Sequence, residues 1–149
     1  STWGASMAYK TIPIYNLDAA VGPKQPNRPD DVRLVQCLLK LVWKQIASSD
    51  VLSPIKVTGT LDAATATGIV AFQRDMAVFQ NIKRDDVIDP MPSKRGGVDF
   101  ETKAPNGHVY SIYYLNILAR RLSKDGHENA GRELGLVEAA GYTQKLQIR

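Results

Sequence analysis

The stretch VTGTLDAATATGIVAFQRDM, residues 57–76, joins a glycine turn to a helix of small residues that ends on Phe-Gln. Gly59 lacks a Cβ and suits a tight turn, and Asp62 can accept hydrogen bonds from the first N–H groups of a helix. The residues that then share one helical face are Thr65, Ile69, Phe72 and Met76. The stretch therefore predicts a helix over 62–76, anchored in the core by Phe72.

Two further segments have helical periodicity. The first follows Pro29 and predicts a helix over 31–47, with Asp30 or Asp31 as its cap. The second predicts a helix over 111–123 that is capped by Ser111. The expected centre of the core is Leu38, Leu39, Ile69, Phe72, Leu115 and Leu118.

The turn before Asp62 has an echo later in the chain. IKVTGTLD at 55–62 is matched by IKRDDVID at 82–89, which places Asp89 where the first copy has Asp62. Two similar turns imply two similar helix starts. The second helix is delayed by a polar segment, 90–108, that is rich in proline and glycine.

The ends of the chain have weaker patterns. Residues 1–28 are expected to form an extended arm and linker with a short strand, and 124–149 a tail with weak helical pattern from Glu133 to Ala140. The helical domain between them spans 29–123. The expected fold is all-α, with three principal helices, a long loop before the third and a short helical tail.

Composition limits the classes of function. The chain has 149 residues, a formal charge of +4 and 44% hydrophobic residues, as expected for one globular domain with a mild preference for acidic partners. Its longest apolar runs are too short for a membrane span, and positions 1–20 lack the pattern of a signal peptide. Met7 is interpreted as the native start, with residues 1–6 a remnant of cloning, although a processed chain would look the same.

The motifs resemble those of the peptidoglycan-binding domain-like modules, three-helix domains of bacterial cell-wall enzymes and phage proteins. The first motif of that family, Asp-Val-x-x-Leu-Gln-x-x-Leu, is matched by residues 31–39 with Val35 in place of leucine. The second, a glycine turn followed by Phe-Gln, is matched by Gly59, Phe72 and Gln73. The third is looser, because Asp86 replaces the glycine and about twenty extra residues precede the helix at Ser111. The resemblance covers about 29–122.

The resemblance implies a non-catalytic module that binds peptidoglycan or a muropeptide and so localises a larger machine or a partner hydrolase. Without a signal peptide, a phage particle, a contractile secretion system or lysis would deliver it to the cell envelope. No cofactor or metal is expected, because His108 and His127 are interpreted as surface residues without metal-ligand spacing. The single Cys37 is interpreted as a buried structural thiol.

Four residues are the candidates for ligand binding. Tyr113 and Tyr114 could stack on a sugar ring, Arg74 could pair with a peptide carboxylate, and Asp89 could accept a hydrogen bond. Packing of the tyrosines against the arm or the loop is the alternative. Changing both tyrosines to alanine is expected to weaken retention by peptidoglycan without unfolding the domain.

Two other functions remain open at this point. The same scaffold could be a protein–protein adaptor or structural component whose loop 90–108 grips a partner. Nucleic-acid binding is disfavoured, because the basic residues are scattered and no recognition helix or aromatic platform is predicted.

Overall fold

The computed structural model describes residues 10–46, 49–50, 52–92, 101–134 and 143–148. This part of the chain is mostly helical, as predicted. Its elements are β1 (Lys10–Tyr15), α1 (Pro29–Val42), α2 (Ala63–Met76), α3 (Ser111–Leu122), α4 (Lys124–Glu133) and β2 (Thr143–Ile148).

Helix α1 begins earlier than predicted, at Pro29. Proline is favourable there because the first N–H of a helix has no partner within the helix. Asp31 is not the cap. Its carboxylate instead accepts hydrogen bonds from the backbone N–H groups of Asp18 and Ala19, at 2.9 and 3.1 Å, which ties the linker to α1. The helix ends at Val42 and continues as a 3₁₀ turn to Gln45.

Helix α2 has the predicted cap and core face. The carboxylate of Asp62 accepts hydrogen bonds from the N–H and the hydroxyl of Thr65, at 2.8 and 2.6 Å. All six residues predicted for the centre of the core are buried, and Phe72 is fully enclosed. The ring of Phe72 lies 6.3 Å from that of Tyr114, centroid to centroid.

The echoing turns have matching backbone conformations. In the first turn, residues 58–62, Gly59 has φ +81°, and in the second, residues 85–89, Asp86 has φ +66°. Aspartate tolerates this left-handed conformation better than most side chains, so the missing glycine of the third motif does not prevent the turn.

A buried amide from the preceding helix holds each turn. Gln36 of α1 accepts hydrogen bonds from the N–H groups of Thr58 and Gly59 and donates to the carbonyl of Thr60. Gln73 of α2 repeats this arrangement in the second turn: it accepts from Asp86 N–H and donates to Val87 O. The two glutamines of the sequence motifs are therefore internal clamps between a helix and the turn that follows it.

Replacing Gln73 with leucine should lower the free energy of unfolding by about 1–3 kcal/mol, because the polar groups that it satisfies lose their partner. Gln80→Leu is the matched control. Gln80 is exposed, so its replacement should change stability by less than about 0.5 kcal/mol. Urea unfolding of the two variants measures the difference, and equal small losses would contradict the clamp role.

Helix α3 starts as predicted at Ser111, but Ser111 does not cap it. The N-cap position is Tyr110, without a side-chain cap, and the Ser111 hydroxyl accepts a hydrogen bond from Gln73 Nε2 at 3.1 Å. The clamp of the second turn thus also touches the first residue of α3.

The arm and the tail both contact the helices. Strand β1 pairs antiparallel with β2, with Lys10 opposite Ile148 and Tyr15 opposite Thr143. Tyr15 also exchanges backbone hydrogen bonds with the Asn116 amide of α3. Helix α4 packs on α1 and α3. Helix α4 lies at the start of the predicted tail and ends at Glu133, and of the helical pattern predicted from Glu133 to Ala140, residues 135–140 are outside the described residues.

Candidate binding pocket

A pocket of about 160 Å³ opens between the second turn, the loop before α3 and the first residue of α3. The second turn and the first residue of α3 both contribute to it, whereas the first turn, residues 58–62, does not. Charged and polar side chains form much of its wall. The lining residues are Lys83, Asp85, Val87, Asp89, Ala104, Asn106, His108, Val109, Tyr110 and Ser111.

Backbone hydrogen bonds fix the wall that is formed by the loop. Val109 N–H donates to Asn81 O at 2.8 Å and Tyr110 N–H donates to Thr102 O at 3.1 Å, which fastens this wall at both sides. A tight turn closes its tip, where Gly107 has φ +87°. The opposite wall is the second turn, held from beneath by Gln73. The backbone of both walls is therefore held in place by hydrogen bonds.

The two acidic residues of the pocket have different partners. Asp85 Oδ2 lies 3.5 Å from Lys83 Nζ, so its charge is compensated. Asp89 is half-buried, and no residue in the described part of the chain donates a hydrogen bond to its carboxylate. Burial, and secondarily the charge of Asp85, raise the pKa of Asp89, while Lys83 acts in the opposite direction.

The four predicted site residues do not come together. Asp89 lines the pocket, whereas Arg74, Tyr113 and Tyr114 are not among its lining residues. The Arg74 guanidinium lies 3.0 Å from the Asp75 carboxylate. Tyr113 is half-buried and Tyr114 is buried beside Phe72, which leaves Tyr114 no open face for a sugar ring. Tyr114 therefore fits the packing alternative better than the role of stacking on a sugar ring, although it packs against Phe72 of the core.

Sequence reasoning missed the polar residues of the loop wall. Tyr110 belongs to the tyrosine cluster at the start of α3, and it is this member that reaches the pocket. Asn106 and His108 belong to a segment that has no periodicity, so no sequence pattern identifies them as pocket residues. Lys94 and Arg95, which lie within the predicted insertion, fall outside the described residues.

His127 is not a surface residue, contrary to the sequence interpretation. It lies in α4 with no exposed area, and its Nε2 is 2.9 Å from Asn116 Oδ1. Helix α4 can approach α1 closely because Gly126 has no side chain. A Cβ at Gly126 would lie 2.8 Å from Leu41 Cδ2. Gly126 thus serves close packing of the helices.

The cysteine of the chain, Cys37, is not among the residues that line the pocket. Burial raises the pKa of the half-buried Cys37 thiol, which disfavours the reactive thiolate. Among the described residues, no cluster of three histidine, cysteine or acidic side chains could hold a metal ion. The described helices also include none that is long and apolar enough to cross a membrane.

Comparisons of the chain with family models, curated protein sequences and solved structures gave no match.

Proposed function

We propose that this chain is a non-catalytic module that binds bacterial peptidoglycan and localises a larger machine or a partner hydrolase, in a phage particle or a contractile secretion system. The observation that carries the proposal is the preorganised pocket at the second turn, lined by Asp89 and Tyr110. Polar side chains beside an aromatic ring suit a ligand made of sugars and short peptides.

The two glutamine clamps are the second observation that supports the proposal. Gln36 and Gln73 belong to the Leu-Gln and Phe-Gln motifs through which the sequence resembles the peptidoglycan-binding domain-like modules, and each holds the turn that follows its helix. The motif residues thus act as a repeated scaffold. The pocket lies where that scaffold leaves a turn open beside the next helix.

Sedimentation with purified insoluble peptidoglycan tests the proposal. The parent protein should be retained in the pellet, and Ala104→Phe should reduce the retained fraction at least tenfold, because Ala104 lines the pocket and a phenyl ring would fill it. Pro105→Phe is the control, since Pro105 is exposed, uncharged and not part of the lining. A parent protein that stays wholly in the supernatant would refute wall binding.

The alternative is a protein–protein adaptor on the same scaffold. An exposed apolar pair favours it: Val78 and Phe79 are 80% and 71% exposed just after α2. If the chain is an adaptor, it should stay in the supernatant in the sedimentation assay with peptidoglycan. Of the loop 90–108 proposed to grip a partner, residues 93–100 lie outside the described residues.

A further inference from the structure

The charge within the pocket is opposite to that of the whole protein. The chain carries a net charge of +4, yet Asp85 and Asp89 both line the pocket, and Lys83 is the one Lys or Arg residue among the described residues of its lining. Lys83 pairs with Asp85. Within the part of the chain that the structure describes, the Asp89 carboxylate accepts no hydrogen bond and makes no ion pair, so a cation is favoured there over the peptide carboxylate expected from the sequence.

Comparison with the first turn shows why Asp89 lacks the helix-start donors that Asp62 has. Asp62, at the equivalent position, caps α2 and accepts two hydrogen bonds from Thr65. After Asp89 the chain leaves the turn through Pro90, and α3 starts only at Ser111. The second copy keeps the carboxylate but has lost the helix start that would satisfy it.

The environment of Asp89 favours a cationic ligand energetically. Its pKa is raised because burial and the neighbouring Asp85 disfavour the charged carboxylate. An opposite charge within hydrogen-bond distance would reverse this effect and supply the missing donors. Binding of a cation would therefore keep Asp89 ionised, and protonation of Asp89 at low pH would weaken binding.

The size and lining of the pocket select one kind of cation. A volume of about 160 Å³ is below the roughly 300 Å³ at which pockets accommodate a whole small-molecule ligand, so one terminal group enters. An ammonium has three donors, and beside Asp89 the lining includes Tyr110 and Ser111, two residues that carry hydroxyl groups able to accept. The Tyr110 ring provides an apolar surface for an attached alkyl chain.

We infer that the pocket recognises the primary ammonium group at the end of an alkyl side chain, with Asp89 as its counter-ion. If the proposed function holds, on which this source of the ligand rests, the group belongs to the diamino acid of a peptidoglycan stem peptide. A lysine side chain of a partner protein offers the same chemistry.

Amide chemical shifts test the ammonium preference directly. Titration with Nα-acetyl-lysine methylamide should shift the signals of residues 85–89 and 108–111, whereas the norleucine analogue, which lacks the ammonium, should not. Asp89→Asn should weaken the lysine response at least tenfold. Asp86→Asn is the matched control, because it removes the same charge from an exposed residue outside the pocket and asparagine tolerates its positive φ.

The outcomes separate this inference from the proposed function. Equal responses to both probes, or a response that survives Asp89→Asn in a folded variant, would overturn the ammonium site. Peptidoglycan whose free amines have been acetylated should retain the protein less than untreated peptidoglycan. A lysine response without any retention by peptidoglycan would keep the ammonium site, refute wall binding and identify a protein lysine as the ligand.

Discussion

Replacing Phe72 with alanine should lower the free energy of unfolding by about 3–5 kcal/mol. Phe72 has no exposed area, lies at the centre of the helical core and packs against the ring of Tyr114. The truncation would leave a cavity that the helices cannot fill without moving. Urea unfolding followed by far-UV circular dichroism measures the loss.

Phe79→Ala removes the same ring from a surface position and is the matched control. Because Phe79 is 71% exposed, its truncation should change the free energy of unfolding by less than about 0.5 kcal/mol. A loss below about 1 kcal/mol for Phe72→Ala would mean that Phe72 does not anchor the core.

The second large effect concerns the buried imidazole of His127. Asn116 Oδ1 can only accept, so the 2.9 Å contact requires a proton on His127 Nε2. His127 Nδ1 is buried and has no hydrogen-bond partner in the described part of the chain. Burial, and secondarily the positive charge of Arg120, lower the pKa of His127 to about 4, while the exposed Glu128 acts in the opposite direction.

Acidification from pH 6.5 to 4 should therefore lower the free energy of unfolding by about 3 kcal/mol through His127 alone. In this window the unfolded chain protonates the imidazole, while the native protein keeps it neutral, so acid favours unfolding. Below pH 4 both states bind the proton and the His127 contribution becomes constant. Urea midpoints measured across this pH range give the slope.

His127→Gln tests the assignment, because the glutamine amide can still donate to Asn116 but does not titrate. This variant should lose most of the pH dependence between 6.5 and 4. His108→Gln, which removes the other histidine of the chain from a half-buried loop position, should retain it. A parental slope in His127→Gln would place the titrating group elsewhere.

The helical core could be predicted from sequence because its residues follow one period. Phe72 and Ile69 recur at helical spacing, and Asp62 is a capping residue directly before them. Helix α4 was not predicted because it is short and mostly polar: its buried side chains are those of His127 and Ala130, and Gly126 allows close packing. Its stability depends on neighbours that are distant in sequence.

The candidate site was predictable only in part. The repeat of the first turn placed Asp89 correctly beside the start of α3. Which tyrosine reaches the pocket depends on the rotation of α3: Leu115 and Tyr114 face the core together, and Tyr110, at the N-cap, is directed to the pocket. Rotation is fixed by packing across helices, which periodicity within one helix does not determine.

The amide contacts also bear on the order in which the chain folds. Gln36 and Thr58 are separated by 22 residues and Gln73 and Val87 by 14, whereas Asn116 and Tyr15 are separated by 101. Closing a longer loop costs more chain entropy, by about 2 kcal/mol between the shortest and longest of these. The two helix–turn units can thus form first, each from a continuous stretch of chain. We expect the β1 arm to dock onto α3 last, after the second helix–turn unit, which forms one wall of the pocket, has folded.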